Sequence, residues 1–312
     1  MKPEIDFSPA FIDLAKMGRT GWRAAAVTIL LIAFLSILST LVTLIFTGCS
    51  VYFKHFHIVD VANAIVSGGA NPVVCVFGFW LACKRILRRP FLSLISTDLT
   101  FSVRRSLLGA ALYLPGNAFG LMAMSLYASM RYGAWMIPFG HFEWPHGSQI
   151  FGAVAAIIAI PFFAFAEELF FRGWLMQTLG QYIRVPMVAV ALVAVLFAAY
   201  HTQYDLQMKT LMLAGSLGLS ALCLRDQRLE LAIGAHSMMN ICAVLQILFF
   251  TGPLPHMQAS ATVTTFDWLS LVILKGALPF ALMCWLLQKT GGWFPPADTR
   301  GAITGDVQPE RL

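Results

Sequence analysis

Apolar residues run along this chain in long blocks separated by short polar stretches. A helix needs about 20 mostly apolar residues to cross the hydrocarbon core of a bilayer. Eight segments approach that length: Trp22–Phe46, Gly69–Cys83, Ser106–Met130, Gln149–Leu179, Pro186–His201, Met208–Leu224, Leu231–Phe250 and Trp268–Leu287. The first, third, fourth and last are clear. The second, fifth and sixth are short or rich in Gly and Pro, so the apolar pattern alone allows seven to nine crossings. The expected fold class is all-α, a polytopic integral membrane protein.

The polar interruptions divide the chain into three parts. Residues 1–148 hold three spans and a basic loop, Lys84 to Arg105, whose Lys84-Arg85 and Arg88-Arg89 pairs are expected along the lipid headgroups. The stretch Tyr132–Gly147 is rich in Pro, Gly, His and aromatics and reads as an interfacial loop, since Trp favours that level. Residues 149–250 hold four spans and nearly all the polar residues at membrane depth. Residues 251–312 bring an uncharged Pro/Ser/Thr-rich loop, a last span and a polar tail expected to be flexible. No internal repeat is visible.

Composition supports the membrane reading. The 312 residues are 58% hydrophobic and only 12% charged, against about 25% charged in a soluble domain. Charge placement then selects a span count. With the N-terminus inside and eight crossings, 16 of the 21 Lys and Arg fall in inside segments, 3 in outside segments and 2, Arg172 and Lys275, within spans. The positive-inside rule therefore favours eight spans with both termini cytoplasmic. The net charge of +6 is accounted for by anionic lipid and calls for no nucleic acid. The segment after Ala24 is too long for a signal-peptide core and reads as a retained first span. The cysteines (Cys49, Cys75, Cys83, Cys223, Cys242, Cys284) show no C-x-x-C spacing and read as small apolar packing residues.

An ionisable group inside a span costs a few kcal/mol and needs a reason to be there. The fourth span contains Ala166-Glu167-Glu168-Leu169-Phe170-Phe171-Arg172-Gly173. Glu168 and Arg172 are four apart, on one helix face, in the order that favours an ion pair. Glu167 is turned about 100° away and cannot easily share that partner. The spacing assigns Glu168 to Arg172 and leaves Glu167 free to face a cavity. The bland alternative, that both glutamates only neutralise Arg172, asks for one carboxylate more than needed. The fifth span ends Phe197-Ala198-Ala199-Tyr200-His201, with Phe197 one turn before His201. Taken alone, such a histidine is more often interfacial than catalytic. The seventh span contains His236-Ser237-Met238-Met239-Asn240, whose first and last residues project together. In isolation that pair reads as an interhelical hydrogen-bond clamp.

Together the three segments resemble the CPBP family, the CAAX-protease and bacteriocin-processing membrane proteins also called Abi. The carrying pattern is E-E-x-x-x-R (Glu167, Glu168, Arg172), then F-x-x-x-H (Phe197, His201), then H-x-x-x-N (His236, Asn240), each on its own span. The likeness covers about residues 150–250. It implies an intramembrane endopeptidase acting on a membrane-associated protein or peptide, in the plasma (inner) membrane. It implies Glu167 as general base acting on water with His201, His236 and Asn240 as donors to the oxyanion, and Glu168 and Arg172 as support. Peptide hydrolysis asks for such a base and such donors. Zinc is the rival, with Glu167, His201 and His236 as ligands, because two His and one Glu is a peptidase ligand set. These residues come from three separate helices without an H-E-x-x-H pair, so no cofactor is the favoured expectation.

The span limits place His236 in the inner half of the membrane, His201 in the outer half and Glu167 between them. Convergence therefore calls for a tilted or broken helix, and Pro161 or a late start at Pro186 could supply it. The expected meeting place is a water-reachable cavity open to the cytoplasm. The alternative function is a non-enzymatic membrane protein, a bacteriocin-immunity factor or a partner-binding scaffold using the same cavity. A transporter is a weaker third reading, since the halves show no repeat.

Overall fold

A computed structural model describes residues 10–52, 71–132, 141–183, 185–251 and 264–289. Among these the chain is helical, apart from one antiparallel ladder of two residues on each side. A single turn, α1 (Ala10–Asp13), runs into a 3-10 turn, Leu14–Met17. Next come α2 (Trp22–Tyr52) and α3, helical over 71–82 and π-helical over Cys83–Leu87. After α4 (Val103–Tyr132), α5 (Gly147–Glu168) continues without a break as π-helix Leu169–Met176 and a last turn Gln177–Leu179. The chain then forms α6 (Pro186–Tyr200), α7 (Leu206–Asp226) and α8 (Glu230–Phe249). It closes with α9, made of Thr265–Leu271, π-helix Val272–Ala277 and Leu278–Lys289.

Six helices are long and apolar enough to cross a membrane: Trp22–Ile45, Val103–Tyr132, Gln149–Leu179, Leu206–Asp226, Glu230–Phe249 and Thr265–Lys289. They coincide with six of the eight expected spans to within a few residues. The fifth expected span is an apolar helix of only 15 residues, about 22 Å long and short of a full crossing. The second begins outside the described residues. So do most of the aromatic loop after α4, the loop before α9 and the C-terminal tail. The outward face of α2 is apolar, with Leu30, Phe34, Ile37 and Leu44 each 60% or more exposed. In water such a face would demand a cover; a bilayer provides it.

Helix α8 lies at the centre, running along α4 and α5, while α6 pairs with α7 and α9 lies against α4 and α7. Close approach comes from glycine. A Cβ at Gly234 would stand 1.8 Å from the Ser106 carbonyl oxygen, and one at Gly109 would stand 2.3 Å from that of Leu231. The α4 and α8 backbones therefore touch, as small residues permit where lipid offers no hydrophobic drive for helix association. Apolar clusters fill the rest, one around Phe79, Phe171, Trp174 and Phe197 and another around Tyr113, Leu219, Leu231 and Phe280.

The turn between α7 and α8 is tied down by charge. Arg228 donates to Asp98, to Thr100 and to Glu230 (Nη2 to Oε1, 2.6 Å), and Glu230 accepts from the Ser102 amide at 2.9 Å. Gln227 takes the left-handed conformation (φ 57°) that ends α7, and its side chain accepts the Phe11 amide at 2.7 Å. Two expectations are corrected. Arg89 does not lie along the headgroups but is buried, 7% exposed, because its guanidinium reaches inward to Gln177 of α5. Pro161 does not break α5, which stays α-helical to Glu168; the change of winding comes after the glutamates, at Leu169.

The glycine contact makes a testable statement. Gly234→Val forces a side chain into the α4 backbone, so destabilisation at or above the usual overpacking range of about 1–3 kcal/mol is expected. The readout is folded yield and thermal midpoint in detergent. Gly147→Ala, where a Cβ meets nothing within 4 Å, should leave both unchanged.

Candidate active site

The cluster is built around Arg172. This guanidinium sits in the π-helical part of α5 with its side chain wholly buried. Its Nη1 donates to Glu168 Oε1 at 2.9 Å, Nη2 to the Ser216 hydroxyl at 2.5 Å and carbonyl at 3.0 Å, and Nε to the Ser220 hydroxyl at 3.3 Å. Ser216 and Ser220 stand one turn apart on α7, so α7 presents two oxygens where α5 presents a cation. The open face of the guanidinium covers the Phe197 ring, 4.8 Å from its centroid.

Glu168 is fully buried, and its Oε1 also meets His236 Nδ1 at 2.8 Å. The adjacent Glu167 side chain is 28% exposed, and its Oε2 lies 3.5 Å from His236 Nε2. One imidazole thus stands between two neighbouring carboxylates, one sealed and one open. Glu168 Oε2 is buried without a hydrogen-bond partner among the described residues.

His201 ends α6 as its C-cap, half-buried, with Nδ1 2.8 Å from the Phe197 carbonyl. A carbonyl only accepts, so Nδ1 carries the proton and Nε2 presents a lone pair. The ring touches Phe197 at 4.8 Å between centroids and stacks on Tyr204 at 6.2 Å; Phe197 in turn meets His236 at 5.8 Å. Asn240 is half-buried one turn beyond His236 on α8. Among the described residues no hydrogen bond links Asn240 to Glu167, His201 or His236. Side chains thus join Glu167, Glu168, Arg172 and His236 directly, the Phe197 ring connects His201 to them, and the backbone of α8 carries Asn240.

The helix ends, rather than a proline kink, set the offset between these segments. Helix α5 runs 11 residues beyond Glu168 to Leu179, whereas α8 begins only six residues before His236 at Glu230. The two helices are offset along their axes. The short α6, 15 residues long, stops at His201.

The tautomers change what His236 can do. A carboxylate only accepts, so Nδ1 donates to Glu168 and a neutral ring would turn a lone pair toward Glu167. Nε2 donates only when the ring carries both protons. Both histidines hold Nδ1 on an acceptor and leave Nε2 outward, the arrangement in which His binds metals. Yet among the described residues no three His, Cys, Asp or Glu side chains stand close enough to hold a metal ion together. The arrangement as it stands therefore does not assemble the Glu167, His201, His236 ligand set.

Sequence reasoning missed Ser216 and Ser220, and it treated Phe197 only as a motif position. Two serines four apart in an apolar span were the available signal. Phe197 is 2% exposed and touches Arg172, His201, His236 and, at 5.0 Å between ring centroids, Phe171.

Fold and cluster together define a polytopic all-α membrane protein with two adjacent carboxylates, an arginine and His236 joined inside the helical bundle. Residues 148–242 match the family described as type II CAAX prenyl endopeptidase Rce1-like, of the CPBP group, which bears out the motif resemblance over that segment. The uncharacterized protein YyaK of Bacillus subtilis (strain 168) is 31% identical over 131 residues, 40% of this chain. The match spans 39% of that relative's length. No solved structure matches.

The buried ion pair can be tested apart from activity. Arg172→Met removes the guanidinium from Glu168, leaving it His236 alone, and should cost about 3–5 kcal/mol. Adding Glu168→Gln removes the stranded charge while keeping an acceptor for His236, and should recover much of the loss. Thermal melts in detergent report both.

Proposed function

We propose that this chain is an intramembrane endopeptidase that hydrolyses a peptide bond in a membrane-associated protein or peptide, with Glu167 as general base. The observation that supports the reading is the unequal treatment of two adjacent carboxylates. Glu168 is sealed at 0% exposure on Arg172 and His236, while Glu167 keeps 28% exposure beside His236 Nε2. A scaffold has no need to hold a second carboxylate at membrane depth, where such groups are costly. Base catalysis needs one.

In the proposed reaction Glu167 takes a proton from water and the hydroxyl adds to the scissile carbonyl carbon. The His201 Nε2 lone pair orients that water. The imidazolium of His236, held by Glu168, and the Asn240 amide donate to the oxyanion, a task that preorganised donors perform best in a low-dielectric site. The proton on Glu167 then passes to the leaving amine as the C–N bond breaks. Glu168 and Arg172 act through His236 and are positioning residues. The Rce1-like match points to CAAX-type proteolysis; whether this chain's substrate is prenylated is a separate question from the chemistry. The reading further places both termini in the cytoplasm and the protein in the plasma membrane.

Glu167→Gln is nearly isosteric. It should preserve folding and lower peptide cleavage by roughly 10²- to 10⁴-fold, the usual contribution of a general base. Comparing membrane peptides in cells carrying wild-type protein and Glu167→Gln would reveal the substrate. An unchanged peptide pattern together with retained partner binding would favour the scaffold instead. Purified active protein should keep its activity in chelator; complete loss restored by zinc would overturn the metal-free route.

A further inference from the structure

The open side of Glu167 carries a residue that no motif position accounts for. Tyr200 is the last residue of α6, directly before His201. The helix stops in a tight turn centred on His201, whose φ of −80° and ψ of 69° are those of an inverse γ-turn. The Thr202 amide closes that turn on the Tyr200 carbonyl at 2.9 Å. The turn presents the two rings side by side, their centroids 5.7 Å apart and their planes at 89°. Tyr200 also packs on Phe171 of α5, at 5.8 Å between ring centroids. Glu167 and Phe171 are four residues apart on α5 and so share a face. Among the described residues no hydrogen bond joins Glu167 to His201. Tyr200 stands between them, with His201 on one side and the Glu167 face of α5 on the other. Its hydroxyl lies within electrostatic reach of the Glu167 carboxylate and the Cys75 thiol.

The two sides of Glu167 differ in what they can still bind. On the sealed side Arg172 is taken up by Glu168, Ser216 and Ser220. His236 has Nδ1 on Glu168, and its Nε2 faces Glu167 Oε2 at 3.5 Å. Tyr200, in contrast, is 66% exposed. Among the described residues its hydroxyl has no hydrogen-bond partner. An open phenol beside the exposed carboxylate is available to whatever enters the site from that side.

We propose that Tyr200 is a catalytic donor whose hydroxyl binds the carbonyl oxygen of the scissile peptide bond. This rests on the protease reading above. As the oxygen of water adds to the carbonyl carbon, the C=O π pair moves onto the carbonyl oxygen, and the Tyr200 O–H donates to it. The proton stays on Tyr200 throughout. The pair returns to re-form C=O as the C–N bond breaks, and the leaving amine takes the proton that Glu167 removed from water. A neutral phenol does this without adding a charge at membrane depth, where charges are costly. Tyrosine is among the side chains that build oxyanion holes. Its donation also does not depend on the proton count of His236, whose Nε2 donates only when both ring nitrogens are protonated.

The test is cleavage by full-length protein in detergent. The probe is a synthetic, quenched-fluorophore copy of a peptide whose cleavage in cell membranes requires Glu167. Tyr200→Phe keeps the ring and its contacts, so the thermal midpoint should not move. It should lower kcat about 10²- to 10³-fold and leave KM near the wild-type value, because the bond forms only in the transition state. The pH profile of the remaining activity should keep its wild-type shape, since no proton leaves Tyr200. Wild-type activity in Tyr200→Phe overturns the donor, and overturns it alone when Glu167→Gln is inactive. Activity kept in Tyr200→Phe but lost in Tyr200→Leu means that the ring only positions His201, which also overturns it. Loss of the alkaline limb of the pH profile in Tyr200→Phe reassigns the hydroxyl to proton transfer and rejects the donor role. If no membrane peptide depends on Glu167, the protease reading fails and the role of Tyr200 falls with it.

Discussion

One buried ion pair governs the arrangement of the chemistry. Arg172 and Glu168 are both fully buried, and a charge at that depth is costly without a partner. The pair does more than cancel charge. Arg172 takes oxygens from α7, its face covers a ring from α6, and Glu168 fixes an imidazole from α8. Four helices are thereby registered by one side-chain network. Breaking one member of such a network costs more than apolar packing would, since the others are left buried and under-satisfied.

The rest of the bundle provides the precision that network needs. Helices in lipid gain little from mutual hydrophobic burial, so backbone proximity and polar contacts decide how they meet. The Gly109 and Gly234 contacts bring α4 and α8 together, which fixes α8 and hence the His236 ring. At the N-terminal end of α8, Arg228 and Glu230 bind the loop before α4 to the α7–α8 turn. The helix carrying His236 and Asn240 is therefore held both along its length and at its start.

Two buried polar systems stand out. One is the cluster in which Arg172 meets Glu168 and His236 stands between the two glutamates. The other is Arg89, buried at the end of α3 with its Nη1 on Gln177 Oε1. Gln177 connects the two systems, because it accepts from Arg89 on the same helix that presents the glutamates.

Much of this was legible in the sequence, for physical reasons. Long apolar blocks can be hidden only by a bilayer, so the all-α membrane fold followed from composition. Helical spacing of four put Glu168 with Arg172 and turned Glu167 elsewhere, because local geometry is set by the helix itself. What periodicity could not supply was relative helix offset, which depends on packing between distant segments. That offset decides how Glu167 reaches His236 and where the short α6 leaves His201. The partners of Arg172 on α7 were equally hidden, since a serine in an apolar span announces a hydroxyl but not its direction. The tautomer of His236 came last: only the tertiary structure showed which carboxylate faces which ring nitrogen, and that pairing decides whether the ring accepts or donates.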